Sequence, residues 1–425
     1  MKTYTNPTLE EIKSIIQRPV FSTDHLDAVI QSVFSEVEST GDQALKTFTS
    51  KYDEVELDQI IVSPEEIKNA EKNIPVELKR SIDQAYNNIY QFHKAQIPQI
   101  VEVVTQPGVI CWQKPVPISS VGLYIPGGSA PLFSTILMLA IPARIAGCKK
   151  IVLCTPPGKD GKIPAAMLYV ASLCKITHLC MVGGSQAIAA MALGTESVPQ
   201  VDKIFGPGNQ YVTAAKLHAF KLGKAIDMPA GPSEVLVFSD ESGIPEYIAA
   251  DLLSQAEHGA DSQVIFVTTD ENMVTQVEQE VRSQLELLPR KEIAIEALNH
   301  SSMVCVPDVN DAFNLINDYA PEHFIIASDR ADDYLDLIEN SGSVFIGNYT
   351  PESAGDYASG TNHTLPTAGA AKAFSGVNLG SFYKKITFQK ITKEGLTDLG
   401  PSIVHMAREE QLEGHAQAVT RRIKQ

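Results

Sequence analysis

Ser120–Thr155 reads SVGLYIPGGSAPLFSTILMLAIPARIAGCKKIVLCT, and this stretch decides the fold. A short apolar run (120–125) leads through a glycine turn into an apolar segment too long for one strand (135–147). A second short run follows at 150–155. Short strand-like runs alternating with helix-like segments imply a mostly parallel sheet covered by helices. The alternation continues through PAAMLYVASLC (164–174), HLCMVG (178–183), QAIAAMA (186–192), KIFG (203–206) and NQYVTAAKLHAF (209–220). A second series runs through EVLVFS (234–239), QVIFVTT (263–269), MVCVPD (303–308), HFIIAS (323–328) and SVFIG (343–347). Two tandem α/β units, 118–230 and 231–380, are the simplest account, with the active site between them because pockets favour such junctions.

Outside these units the pattern changes. Residues 1–117 carry helical periodicity with many charges, as in 26–52 and 77–96, and are expected to pack on the second unit. The tail, 381–425, reads as a strand-like start and then an amphipathic helix. It is too short to fold alone and must dock on its own body or on a partner subunit.

With 34 Lys+Arg against 51 Asp+Glu, the formal charge of −17 repels nucleic acid and anionic membranes, so neither partner is expected. A dianionic cofactor is still allowed, because backbone amides and helix N-termini bind phosphate locally. The N-terminus, MKTYTNPTLEEIK, lacks the apolar core of a signal peptide, and no segment approaches the ~18–20 apolar residues of a membrane span. Six cysteines form no C-x-x-C pair and lie in apolar runs, as reduced thiols would in the cytoplasm.

Three local patterns carry chemistry. In DLLSQAEHGADSQ (251–263), Gln255 and His258 lie three apart on a helix-like segment that stops at Gly259, so both can face one metal ion, and zinc accepts such oxygen and nitrogen ligands. Asp356 in GDYASGTNH and His415 near the C-terminus are candidate further ligands. In the first unit the G-x-G-x-x-G and G-x-x-x-x-G-K-[ST] fingerprints are absent. Instead three glycine turns, Pro126-Gly127-Gly128, Gly183-Gly184-Ser185-Gln186 and Gly206-Pro207-Gly208-Asn209, fall at strand ends, where open α/β sheets bind ligands. In Ala320-Pro321-Glu322-His323-Phe324, a histidine with a pKa suited to proton transfer near neutral pH adjoins a carboxylate immediately before an apolar strand.

The motifs SSVGLYIPGGSAPLFST, GPGNQYVTAAK, DMPAGPSEVLV, APEHF and GNYTPESAGDYASGTNHTLPT, in this order, closely resemble the histidinol dehydrogenase family from about residue 20 to the C-terminus. The resemblance implies two incomplete Rossmann-like units in an aldehyde-dehydrogenase-like architecture. It also implies NAD-dependent, four-electron oxidation of L-histidinol to L-histidine via histidinal. It assigns His323 as base, Glu322 as the hydrating carboxylate, and Tyr124, Gln186 and Asn209 as NAD contacts. One zinc per subunit falls to Gln255, His258, Asp356 and His415. Substrate contacts fall to Ser233, Glu410 and the same zinc and base residues, with His363 a further candidate. A homodimer with shared active sites follows, its tail completing the partner's site. The rivals are a zinc and NAD dehydrogenase of another small polar alcohol, a cysteine-type aldehyde dehydrogenase, and a non-enzymatic metal-binding protein. No cysteine has an adjacent base, and none of the expected catalytic or ligand residues is missing.

Overall fold

The computed structural model describes residues 1–18, 26–127, 131–228 and 231–423. The chain forms two compact units: Met1–Gln96 with Ser119–Ser381, and Ile97–Ile118 with Phe382–Gln425.

The first unit holds two all-parallel sheets. One has five strands, in the order His178–Met181, Lys150–Thr155, Ser120–Tyr124, Lys203–Phe205, Ala225–Ile226. The other has six, in the order Lys2–Thr5, Ser302–Cys305, Gln263–Thr268, Glu234–Ser239, His323–Ala327, Ser343–Ile346. Apart from the edge strand Lys2–Thr5, each sheet starts in its middle and grows outward in both directions, which leaves a crevice at the point of reversal. Alternate side chains divide between the faces: Val235 and Val237 enter one apolar cluster, Leu236 and Phe238 another. Burial on both faces explains why these strands read as continuous apolar runs. Phe133–Ala146 is likewise buried nearly all round, which is why that segment lacks a polar stripe. The sequence pattern missed two edge strands, Lys2–Thr5 and Ala225–Ile226, which are short and partly exposed.

Two expectations about the flanks need correction. The N-terminal helices Leu26–Thr40 and Val76–Lys94 pack mainly on helices of the first α/β unit, not the second; Ile30, Val33, Phe34 and Val37 share a core with Val152 and Ile188. The first residues instead join the second sheet, through Lys2–Thr5 and the apolar side of Leu9–Ile15. Nor is 1–117 helical to its end. Val101–Gln106 and Val109–Pro117 are antiparallel strands, and Val109–Pro117 pairs along its length with Tyr383–Ile391. The tail therefore has a core partner within its own chain.

In that second unit, Thr392 caps the helix Lys393–Glu409, and Gly395 lies so close to Gly108 that a Cβ would meet its carbonyl oxygen at 2.6 Å. A second helix, Glu413–Ile423, packs back on the first, with Val419 and Ile423 against Gly400. Glu410 and His415 thus flank a turn, with Gln411 at φ 59°, instead of sharing one helix.

Candidate active site

Tyr124 ends the central strand of the five-stranded sheet, beside its point of reversal. Its hydroxyl accepts from the Gly184 amide at 3.1 Å, and burial pushes its pKa up to about 12, so it stays a neutral phenol. Gln186 is buried one turn into Gly184–Leu193. Asn209 caps Gln210–Lys221, accepting from the amides of Tyr211 (3.1 Å) and Val212 (3.2 Å), and is exposed. Gly206 holds φ 127°, and a Cβ there would lie 2.1 Å from the Tyr124 carbonyl oxygen, so this turn requires glycine. A buried Lys216–Asp227 ion pair clamps it: Lys216 Nζ donates to Gly206 O at 3.0 Å, and Asp227 Oδ2 accepts from Gly206 N at 2.8 Å. Sequence reasoning missed this pair, whose partners are eleven residues apart on different elements. The three glycine turns converge on one sheet edge as far as the described residues go; Gly128, in the first, lies outside them.

The catalytic candidates sit at the opposite kind of edge, where strands begin. Glu234 starts one central strand of the six-stranded sheet and His323 the neighbouring one. The Glu234 backbone serves both candidates: its N–H donates to Glu322 Oε2 at 2.9 Å, and its carbonyl accepts from His323 Nδ1 at 3.0 Å. A carbonyl can only accept, so Nδ1 carries the hydrogen and Nε2 is the basic nitrogen. Nε2 is buried and without a hydrogen-bond partner, 3.6 Å from Asp356 Oδ1. Burial would lower the His323 pKa, but Glu352, Glu322 and Asp356 outweigh it and hold it above the ordinary histidine value. Burial raises Glu322 to about 8 against the pull of His323. The Glu234 side chain accepts from the Ala368 amide (2.8 Å) and is forked by Arg18, Nη2 to Oε2 at 2.9 Å, while Arg18 also donates to Tyr319 O and lies over its ring. This support was invisible in the sequence, because Arg18 and Glu234 are 216 residues apart.

Gln255 lies on Pro245–Ala256, fully buried, with neither amide atom partnered. His258 is not on that helix, which ends at Ala256; its amide donates to Gln255 O at 3.2 Å in the closing turn. Solvent still reaches His258, yet neighbouring atoms desolvate its ring enough to lower its pKa, against the pull of Asp356. The region after SVFIG, read as a loop, contains a short helix, Glu352–Tyr357, which places Glu352 and Asp356 one turn apart. Among the described residues, one group of acidic and histidine side chains is compact enough to hold a metal: His323, Glu352 and Asp356, with ligand atoms within 4.8 Å of one another. Asp356 thus neighbours the base, 3.6 Å from His323 Nε2, and its charge also reaches His258. An orphaned buried amide oxygen, an imidazole and a carboxylate form an oxygen and nitrogen donor set that suits zinc. Glu352 was missed, although its spacing of four from Asp356 was there to be read.

His363 positions this segment. Its Nδ1 donates to Asp356 O at 2.8 Å and its Nε2 accepts from the Thr135 hydroxyl at 3.1 Å. Ser233 is half-buried just before Glu234, its carbonyl accepting from Gln263 N. Glu410 and His415 are exposed in the second unit.

The paired parallel sheets are shared with an acetylating aldehyde dehydrogenase from Geobacillus thermoglucosidasius, at TM-score 0.50 and 13% identity over 86% of this chain and 96% of that one. At that identity the likeness shows the fold alone, the aldehyde-dehydrogenase-like architecture. The histidinol dehydrogenase family model matches residues 16–423. A histidinol dehydrogenase from Bacteroides fragilis is 53% identical, covering 100% of this chain and 99% of its own. One from Aliivibrio fischeri is 50% identical, covering 100% and 97%. A crystal structure of histidinol dehydrogenase from Elizabethkingia anophelis superposes at TM-score 0.97 with 52% identity, covering 100% and 98%. The fold is aldehyde-dehydrogenase-like, and the relatives make the chain an oxidoreductase. The chain belongs to the histidinol dehydrogenase family, and its role is in histidine biosynthesis.

Proposed function

We propose that the chain oxidises L-histidinol to L-histidine through histidinal in one site, passing two hydrides in succession to NAD, with one zinc per subunit. The observation that carries this reading is the His323 imidazole: Nδ1–H fixed on the Glu234 carbonyl, Nε2 unpartnered, and the Glu322 carboxyl alongside, Oε2 lying 3.7 Å from Nδ1.

His323 Nε2 takes the alcohol proton as the carbinol carbon loses its hydride, and the Glu234 carbonyl keeps the ring oriented while it becomes imidazolium. Glu322, held by the Glu234 amide, takes a proton from the water that adds to the aldehyde. Once the imidazolium has released its proton to solvent, the resulting hydrate presents a hydroxyl to His323 for the second oxidation. Gln255, His258 and Asp356, with His415 of a second copy of the chain, would hold zinc, which would supply a positive charge that positions the substrate for hydride loss. Tyr124, Gln186 and Asn209 line the edge where NAD, the hydride acceptor, would lie. Manganese or cobalt in place of zinc would act through the same donors.

A homodimer is part of the reading, as is a cytoplasmic location. All six cysteines are unpaired, and no described helix is long and apolar enough to cross a membrane. Counting NADH formed per histidine with purified protein and L-histidinol tests the reaction. Two are expected; one, or activity only on another alcohol, overturns it.

A further inference from the structure

Glu352 is 1% exposed, and neither carboxylate oxygen has a hydrogen-bond partner. The other buried carboxylates nearby are satisfied: Glu322 by the Glu234 amide, Glu234 by Arg18 and the Ala368 amide. A buried carboxylate without donors lowers stability, and such groups persist in native proteins where they serve the chemistry. Glu352 Oε1 lies 3.7 Å from His323 Nδ1, while Asp356 Oδ1 lies 3.6 Å from Nε2. The spacing of four on one short helix thus brackets the imidazole, one carboxylate at each nitrogen.

A cation bridging Glu352 and His323 through this edge would need the Nδ1 lone pair. That nitrogen carries the hydrogen donated to Glu234 O, so the contact is unsuited to a metal. It is suited to a charge that appears during the reaction. When Nε2 takes a proton, the imidazolium forms beside the Glu352 carboxyl, whose pKa burial lifts to about 8 and the positive ring pulls back down, in a water-poor site where charges act strongly. Asp251, whose Oδ1 lies 3.4 Å from the Glu352 amide nitrogen, faces it from Pro245–Ala256 and adds negative charge behind it.

We infer that Glu352 is a positioning residue that acts through His323, balancing the charge that ring acquires as base. The inference rests on the reading of His323 as the base.

The test compares Glu352→Gln and Glu352→Asp with the wild-type holoenzyme. In Glu352→Gln, kcat for histidinol oxidation falls at least tenfold, while KM for histidinol and the zinc content of the isolated protein stay unchanged. The isotope effect on kcat with histidinol deuterated at the carbinol carbon rises, because hydride loss is slowed when the paired proton transfer is. The metal-free variant melts at the same temperature as wild type or higher, since an unpaired buried carboxylate is gone. Glu352→Asp, which keeps the charge at a longer distance, recovers part of kcat. Wild-type kcat in Glu352→Gln, zinc content falling with activity, or a loss of melting temperature that accounts for the loss of kcat overturns the inference. If Glu352→Gln does not fold, wild-type kcat in Glu352→Asp overturns it equally. His323→Asn is run alongside: if that variant keeps the first oxidation, the reading of the base fails, independently of the outcome at Glu352.

Discussion

His323 and Glu322 are neighbours in sequence, yet one backbone unit, Glu234, gives them different tasks. Its carbonyl fixes the imidazole tautomer and its amide holds the carboxylate. His323→Asn is expected to depress the alcohol step and Glu322→Gln the aldehyde step more strongly, each by roughly 100-fold or more, as for proton-transfer groups. Separate assays of histidinol and histidinal oxidation check this, and equal, small effects on both would contradict it. The pH dependence follows from the raised pKa of Glu322. Below about 8 its carboxyl is mostly protonated and cannot take a proton from water, so histidinal oxidation should climb as pH rises through about 8. Glu322→Gln should lose that limb. The adjacent Glu-His pair was legible because both groups lie together before an apolar strand. Glu234, Arg18 and Glu352 were not, because an acid at a strand start, an arginine in a polar segment and an acid in a loop-like stretch become informative only when the chain brings them together.

At the scale of elements, apolar runs disclosed the central strands because both faces are covered. The exposed strand Val101–Gln106 and the two short edge strands carry no such run and went unread. The six-stranded sheet also departs from the usual placement of ligands at strand C-terminal ends. At its point of reversal, after Ser239 and Ala327, the crevice is filled by Asp240, whose side chain accepts from Ser242 (Oγ, 2.5 Å), Ser328 (2.7 Å), Tyr334 (2.8 Å) and Arg330 (3.1 Å). The candidate catalytic residues, Glu322 and His323, lie instead where the strands begin. Burial would raise the Asp240 pKa, but the hydrogen bonds of Ser242, Ser328 and Tyr334 prevail and hold it at about 2. A folded pKa below the unfolded value of about 3.9 means the stabilisation is complete above about pH 4 and disappears as pH falls toward 2. Screening near exposed Arg330 trims the two-unit shift to about 1–2 kcal/mol. Asp240→Asn should therefore be less stable by about that amount at pH 7 and show a flatter stability profile between pH 4 and 2. Urea unfolding across that range is the measurement, and a variant with wild-type stability at pH 7 would show that the cluster contributes nothing net.

At the scale of the whole molecule, the second unit is the part that a single chain leaves most exposed. Val101, Val103 and Val104 are 60%, 51% and 62% exposed on an edge strand, and Ile97, Ile100 and Met406 are open as well. An apolar edge of this kind marks an association surface. The same unit carries Glu410 and His415, exposed on either side of the turn at Gln411. A homodimer in which each tail serves the other subunit accounts for both features, and it makes a sharp prediction. Chains bearing His323→Asn or His415→Asn are each inactive alone. In a mixed dimer, one site combines both lesions, and the other combines an intact His323 with an intact His415 from the partner. Random pairing should then restore roughly a quarter of wild-type activity, since half the dimers are mixed and each has one working site of two. If each tail served its own chain, every site in the mixed dimer would keep one lesion. No recovery after subunit exchange has been verified by mass spectrometry would establish that arrangement instead.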